Sequence, residues 1–314
     1  MKSSRELLQT SRAAICLVPR FVYSSFVLKD LVKVNCPICL SLKCIDVFLE
    51  CTVGNFFECK SCDFIFFHSD VGTTSSLGNS IDYKDLYWAE ELEASKNRAF
   101  GVSIARAAEV FILARKPIKN FLDIGTGPGF FLDAILKYLP DSDATFLGVE
   151  MFPPEIQFQT THPGFRTGWL DQFDDESIDG GICIEVLEHL SSSEVKDLFS
   201  LLFIKATNGA TFMFNTGLTE YVKNEDMAYL DPTVRGHISI WSVNALRKLV
   251  GHEGWTFSPI PNRSWAFLAE KCPESQVDLS TRVWSPVPEN VKALCGSSNS
   301  QLLYLLGRDS LRAI

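Results

Sequence analysis

Apolar positions change their period several times along this chain, and the changes mark out its elements. Phe121-Leu-Asp-Ile124 is a short apolar strand. A glycine-rich turn follows, after which Phe130, Phe131, Leu132, Ile135 and Leu136 fall at helical spacing. The alternation then repeats. Strands are predicted at Ala144–Val149, Ile178–Ile184 and Ala210–Phe214, with helices through Val195, Leu198, Phe199 and Leu202 and from Val243 to His252. Ser191 and Glu194 have capping-box spacing, and Ser242 is placed to cap the later helix. Trp255–Ile260 and Ser264–Ala269, joined by Pro261-Asn-Arg263, read as a closing hairpin. Strands alternating with helices imply an α/β fold, doubly wound, its mainly parallel sheet covered on both faces.

Outside that block the pattern differs. Residues 1–35 read as a partly apolar helical segment, and residues 36–70 as a small β unit with strands at Asp46–Glu50 and Phe64–Phe67. Residues 71–118 are a connection: small polar residues to 82, then a helix from about Leu86 to Arg115, ended by Pro117. Trp88, Leu92, Phe100, Ile104, Ala108 and Phe111 share its plausible apolar faces. The α/β domain spans 119–270, with one long irregular stretch from Asn215 to about Gly236. Residues 271–314 form a tail whose Gln301–Leu306 run must pack on something.

The β unit carries metal chemistry. Cys36-x₂-Cys39 and Cys59-x₂-Cys62 are separated by 19 residues, which fits two knuckles of a four-thiolate structural zinc site. Such an ion compensates for the small core that so few residues can build. Ordinary buried cysteine is the alternative, and Cys44 and Cys51, lying between the pairs, complicate the assignment.

The glycine turn points to nucleotide chemistry. Glycines are needed where a backbone turns tightly and a ligand must approach without a Cβ in the way. The spacing is Asp123-x-Gly125-x-Gly127-x-Gly129, not the G-x-G-x-x-G of dinucleotide binders. The next strand ends in Glu150, placed to accept both hydrogen bonds of a ribose diol. In this order, strand, turn, helix and acid-tipped strand resemble the class I S-adenosylmethionine-dependent methyltransferases. Ile184-Glu-Val-Leu-Glu-His-Leu190 is similar to their post-strand-four motif, and Gly236–Ser242 to their later substrate-side loop. The cysteine pairs ahead of such a domain resemble those of sugar C-methyltransferases, although the large C-terminal domain of those enzymes has no room here.

The resemblance implies a seven-stranded Rossmann-like sheet and a cofactor site made by Asp123, Gly125, Thr126, Gly127, Gly129, Glu150, Met151 and Glu185. His189 and His237 are the candidate bases, histidine being the proton carrier suited to neutral pH. Alternatively, His189 orders the turn after the fourth strand. Similar Glu-x-x-Glu-His motifs bind a divalent ion in some methyltransferases, so Glu185, Glu188, His189 and His237 are also a candidate metal set. Mixed carboxylate and imidazole ligands suit Mn²⁺ better than Mg²⁺. Asn215, Tyr221, Tyr229, Asp231, Arg235 and Trp241 belong to the stretch expected to cover the acceptor.

Composition narrows the partners. The formal net charge of −9 disfavours a broad nucleic-acid surface, and no apolar run approaches membrane-spanning length. Ten cysteines without a convincing export signal read as thiols or metal ligands, which implies a cytoplasmic protein. The expected activity is methyl transfer to a small-molecule acceptor, a sugar or another secondary metabolite. The rival is a catalytically silent binding protein that keeps the fold and its cofactor affinity.

Overall fold

The expected strand–helix alternation is realised in a computed structural model that describes residues 34–42, 45–69, 85–142, 144–272 and 279–284. All of these belong to one unit, Val34–Ile314. In chain order the elements begin with β1 (Ile45–Cys51), β2 (Gly54–Cys59) and β3 (Phe64–His68), then α1 (Asp85–Arg98) and α2 (Ile104–Leu113). Next come β4 (Asn120–Ile124), α3 (Phe130–Tyr138), β5 (Thr145–Glu150), β6 (Phe165–Thr167) and β7 (Ile178–Ile184). The chain continues through α4 (Ser192–Lys205), β8 (Ala206–Asn215), α5 (Thr219–Asn224), β9 (Ser239–Ile240) and α6 (Val243–Val250). It closes with β10 (Trp255–Pro259), β11 (Ala266–Lys271) and α7 (Leu279–Trp284).

Seven strands form one sheet in the order β10-β11-β8-β7-β4-β5-β6, parallel from β8 to β6, with the β10–β11 hairpin antiparallel at the other edge. This is a doubly wound, Rossmann-like arrangement. The chain winds outward from β4 through β5 and β6, then crosses back to β7 and β8. The strand order therefore reverses at β4, where open α/β sheets bind ligands outside the carboxyl ends of their strands. A second sheet, β1-β2-β3-β9, is wholly antiparallel.

The many phenylalanines fill the space on both sides of the large sheet. Under α4 and α6, Phe199, Phe214, Phe257 and Phe267 pack together, the rings of Phe214 and Phe267 nearly parallel at 5.0 Å. Under α2 and α3, Phe111, Phe121, Phe131 and Phe146 make the matching core. Each fully buried ring contributes about 2–3 kcal/mol of apolar transfer free energy. A third cluster joins Phe56, Ile65 and Phe67 of the small sheet to Val222, Tyr229, Leu230, Ile238 and Ile240.

Several boundaries differ from the expected ones. The long helix expected to run to Arg115 is broken into α1 and α2 by a π-helical turn, Ala99–Ser103, and stops at Leu113. Gly101 sits in that turn, where the absence of a side chain lowers the cost of an extra residue per turn. β8 starts at Ala206, four residues early, because Gly209 at φ +79° lets an irregular pairing with β7 extend it. The stretch from Asn215 to Gly236, expected to be irregular, contains α5 and a 3₁₀ turn at Met227–Tyr229. A six-residue helix burying only Thr219 and Val222 leaves no period to read. β6 and β9 are shorter still, at three and two residues. The segment 1–33, the small polar residues 71–82 and the Gln301–Leu306 run lie outside the described residues.

The capping box is formed: Glu194 N–H donates to Ser191 Oγ while Ser191 N–H donates to the Glu194 carboxylate at 2.7 Å. Ser191→Ala is expected to cost about 1 kcal/mol of stability, read as a lowered urea midpoint with an unchanged m-value.

Candidate functional site

The glycine turn owes its path to its local geometry. Gly125 N–H and Thr126 N–H both donate to Val149 O, so the turn folds back on the end of β5. Gly125 has φ +72°, and a Cβ there would lie 2.5 Å from Val186 Cγ2. The missing side chain lets the segment after β7 close on the turn after β4. Gly127, at φ +58°, faces the Trp88 indole, 3.1 Å from where its Cβ would stand. Trp88 is anchored by its indole N–H, which donates to Phe152 O at 3.0 Å, so α1 lies across the turn.

Two acids flank it. Glu150 accepts from Gly127 N–H at 2.8 Å and from Phe152 N–H at 2.9 Å, one bond to each carboxylate oxygen. Those bonds lower its pKa, but burial outweighs them and pushes it up. Asp123 is buried and accepts the Thr126 hydroxyl at 2.6 Å. Burial, with the Glu150 charge added, pushes the Asp123 carboxyl up to about 7. Gly129 caps α3 in the left-handed conformation, and Met151 is exposed just beyond Glu150.

The segment after β7 builds a second cluster. Glu185 is a non-glycine residue at φ +54°, a sparsely populated conformation that marks functional and tightly constrained positions. Its N–H donates to Asn215 O and its carboxyl accepts from Asn215 Nδ2 at 3.1 Å. Glu188, fully buried, accepts the Thr216 hydroxyl at 2.9 Å and the Tyr229 hydroxyl at 2.7 Å. Tyr229 OH also lies 3.2 Å from Glu185 and accepts Gly217 N–H. A phenol has one proton to give, and the shorter contact assigns it to Glu188. Burial first, then the nearby Glu188 charge, pushes the Glu185 carboxyl up to about 8.

Two imidazoles complete this cluster. The rings of His189 and His237 meet edge to face at 5.0 Å. His237 Nδ1 lies 2.7 Å from Tyr229 O, a carbonyl that can only accept, so Nδ1 carries the hydrogen and the Nε2 lone pair is available. Nε2 is 3.9 Å from Glu188. Burial, with His189 alongside, drives the His237 pKa down to about 3, so the ring stays neutral. Burial also lowers the pKa of His189. Glu188, His189 and His237 each offer one ligand atom, all within 4.8 Å of one another. Glu185, the fourth expected member, is outside that set; its carboxyl accepts from Asn215 Nδ2.

The four cysteines converge as their spacing implies. Cys36 and Cys62 sulfurs are 3.5 Å apart and those of Cys39 and Cys59 3.4 Å. All four lie within 4.8 Å of one another. Tetrahedral zinc with Zn–S near 2.3 Å sets sulfurs about 3.8 Å apart, so the cluster is compatible with zinc. The two knuckles match in detail: Leu40 and Asp63, each four residues after the first cysteine of its pair, both take left-handed φ near +57° and +56°. Cys36 is held down to about 5, chiefly by Cys62 and against its own burial, while Cys62 is pushed up. A thiol pair that shares its proton in this way would be relieved by a dication.

The structure thus brings Asp123, Gly125, Thr126, Gly127, Gly129, Glu150 and Glu185 to the carboxyl edge of the sheet, with His189 and His237 beside them. Asn215 and Tyr229 of the expected covering stretch touch the carboxyl pair, whereas Trp241 is buried and donates to Leu187 O. Asp231 binds Thr233, Val234 and His237 main-chain groups, ordering its own loop. Sequence reasoning missed Thr216 and treated Trp88 only as a helix-face residue. The lone large aromatic ahead of a glycine turn carried no signal of its own.

No family model matches the chain, and no curated protein matches it. Solved structures of methyltransferases do align with it. One is an S-adenosylmethionine-dependent methyltransferase from Archaeoglobus fulgidus, at 18% identity and TM-score 0.41, covering 60% of this chain and 100% of that one. Another is CalS10 from Micromonospora echinaspora, an amino pentose methyltransferase of calicheamicin biosynthesis solved with S-adenosylmethionine bound, at 14% identity and TM-score 0.43, covering 60% and 97%. A third is the dimethyltransferase RosA from Streptomyces davawensis, which acts on an amino-demethyl riboflavin, at 17% identity and TM-score 0.44, covering 59% and 58%.

The buried Asp123 binds its proton more tightly folded than unfolded, with a pKa of about 7 against 3.8. Its contribution to stability is therefore fully present below about pH 4 and lost as pH rises through about 7. Asp123→Asn should remove this dependence. Compared by urea unfolding at pH 5 and pH 8, wild type should lose stability relative to the variant at the higher pH, by an amount on the order of 2–4 kcal/mol.

Proposed function

We propose that this protein is an S-adenosylmethionine-dependent methyltransferase acting on a small-molecule acceptor, a sugar or another secondary metabolite. The observation that supports it most is the meeting of the glycine turn, Glu150 and the Glu185–His189 segment at the reversal of strand order. A nucleoside-bearing cofactor suits this edge. Glu150 keeps lone pairs beyond the two bonded to Gly127 and Phe152, enough to accept a ribose diol. Asp123, Gly125, Thr126, Gly127, Gly129, Met151 and Glu185 make up the rest of the cofactor site, with Asp123 and Thr126 taking the ammonium end.

When bound, the cofactor supplies an electrophilic methyl group, so the chain's task is alignment, exclusion of water and handling of one proton. Trp88 and the buried carboxyl cluster exclude water. His189 and His237 are the bases we assign to the acceptor's proton, which is held only in passing because burial keeps the His237 ring neutral at rest; His237 takes it through the Nε2 lone pair that its bond to Tyr229 O leaves exposed to the cluster. The Glu185 and Glu188 carboxyls beside them pass it on. The convergence of Glu188, His189 and His237 favours a second reading of the same residues, as ligands for a Mn²⁺-like divalent ion that fixes the acceptor. Cys36, Cys39, Cys59 and Cys62 hold a structural zinc, and their thiolate chemistry suits a cytoplasmic setting.

Calorimetric titration with S-adenosylmethionine tests the reading. Saturable binding is expected, weakened at least tenfold in Glu150→Ala and abolished in Gly127→Arg, whose side chain would drive into Trp88. Mass-spectrometric detection of a methylated acceptor completes the case. Binding without turnover across an acceptor screen, with or without Mn²⁺, would favour a catalytically silent binding protein. A folded, zinc-loaded protein that does not bind S-adenosylmethionine would end the enzyme reading.

A further inference from the structure

The four-cysteine unit does not sit apart from the large sheet's loops; its third strand is paired with β9, which begins two residues after His237. Ile65 pairs with Ile240 and Phe66 with Ser239, and Phe67 N–H donates to Ile238 O at 2.8 Å. Ile238 N–H in turn donates to Glu188 O at 2.8 Å. An unbroken run of main-chain hydrogen bonds therefore leads from β3, one residue beyond the Cys59–Cys62 knuckle, through the residue next to His237 to Glu188.

Side chains reinforce that run at four places. Phe56, Ile65 and Phe67 share a core with Tyr229, Val222 and Leu230, so the ring whose hydroxyl binds Glu188 rests in an apolar cluster to which the cysteine unit contributes three buried side chains. Lys223 of α5 forms an ion pair with the buried Glu58 of β2 at 2.6 Å. Ser242, the cap of α6, donates its hydroxyl to Cys62 O at 2.8 Å. Trp241 lies 4.6 Å from Phe64 ring to ring and donates to Leu187 O. The other side of the site is held differently. The Asp123 carboxylate and the N–H groups of Gly125, Thr126 and Gly127 are bonded within the turn itself or to β5.

We infer that the cysteine unit is the positioning device for Tyr229 and His237, so that its metal governs the acceptor side of the site and leaves the glycine turn unaffected; naming that side rests on the methyltransferase reading. A unit of this size holds its knuckles in place through the metal rather than through its own core. Loss of the ion frees the Cys59–Cys62 knuckle, and β3 then no longer fixes Ile238. His237 is displaced with it, and its Nδ1–H bond to Tyr229 O is lost. Phe67 and Glu58 are positioning residues: they touch no reacting atom and act through Tyr229, Ile238 and α5.

Nuclear magnetic resonance of ¹⁵N-labelled protein tests this without cofactor or turnover. The histidine ring nitrogens report the tautomer of His237, and the amides of Gly125 and Gly127 report the turn. The samples are the zinc-loaded protein, the same protein after zinc removal and re-addition, and zinc-loaded Phe67→Ala and Phe67→Leu. Phe67→Ala keeps every metal-ligating side chain, so it carries the test even if the stripped protein unfolds. The expected result is loss of the single Nδ1–H state of His237 on zinc removal and in Phe67→Ala, recovered by zinc and in Phe67→Leu, with the two glycine amides unshifted. A His237 that keeps its tautomer in Phe67→Ala overturns the inference, and so do glycine amides that move as far as the histidine. Failure of the methyltransferase reading would register separately, as absent S-adenosylmethionine binding, without altering either signal.

Discussion

Everything at the candidate site hangs on β4 being hydrogen-bonded in parallel on both sides. Asp123 pairs in register with Gly148 of β5 and with Ile182 of β7. That one pairing brings the ends of three strands to the same level, so the glycine turn, Glu150 and Glu185 emerge within reach of one another. Parallel strands are covered on both faces, and the phenylalanine clusters supply the cover. Apolar burial there stabilises the sheet, and the sheet in turn tolerates polar groups at its edge that no local segment could keep dry.

Those polar groups are the costly part of the design. Asp123, Glu150, Glu185 and Glu188 are four acids gathered at one sheet edge, and burial disfavours the charged form of each. The chain meets the cost with hydrogen bonds rather than with cations. Thr126 serves Asp123, main-chain amides serve Glu150, and Asn215, Thr216 and Tyr229 serve the carboxyl pair. Between Glu185 and Glu188 the like charges add to burial, and the Glu185 carboxyl is pushed up to about 8. A site built on this plan is sensitive to any positive charge that enters it, whether a sulfonium, an ammonium or a metal ion.

The cysteine unit extends the same economy. Its sheet has too few residues for an independent core, so it borrows one from Tyr229, Ile238 and Ile240. In exchange it holds a stretch that would otherwise be loop, giving α5, β9 and the start of α6 fixed partners through Glu58, Phe67 and Cys62.

The sequence by itself determined what depends on local chemistry. The Asp-x-Gly-x-Gly-x-Gly turn needs residues without a Cβ at left-handed positions, the capping box needs Ser and Glu three apart, and two knuckles need paired cysteines. Each requirement is written in consecutive residues, so the turn, the strand-terminal Glu150, the hairpin and the four-thiolate cluster were all legible. Only the tertiary structure decided what depends on contacts between distant segments. β9 is two residues long and exists because β3 is beside it. Trp88 covers the turn because α1 crosses it, and Glu185 lies outside the three-residue donor set, its carboxyl bonded to Asn215 Nδ2. The pKa values of Asp123 and Glu185 likewise follow from burial, a property of the folded whole. Periodicity registers how one segment meets the core; it holds no record of which other segment it will meet there.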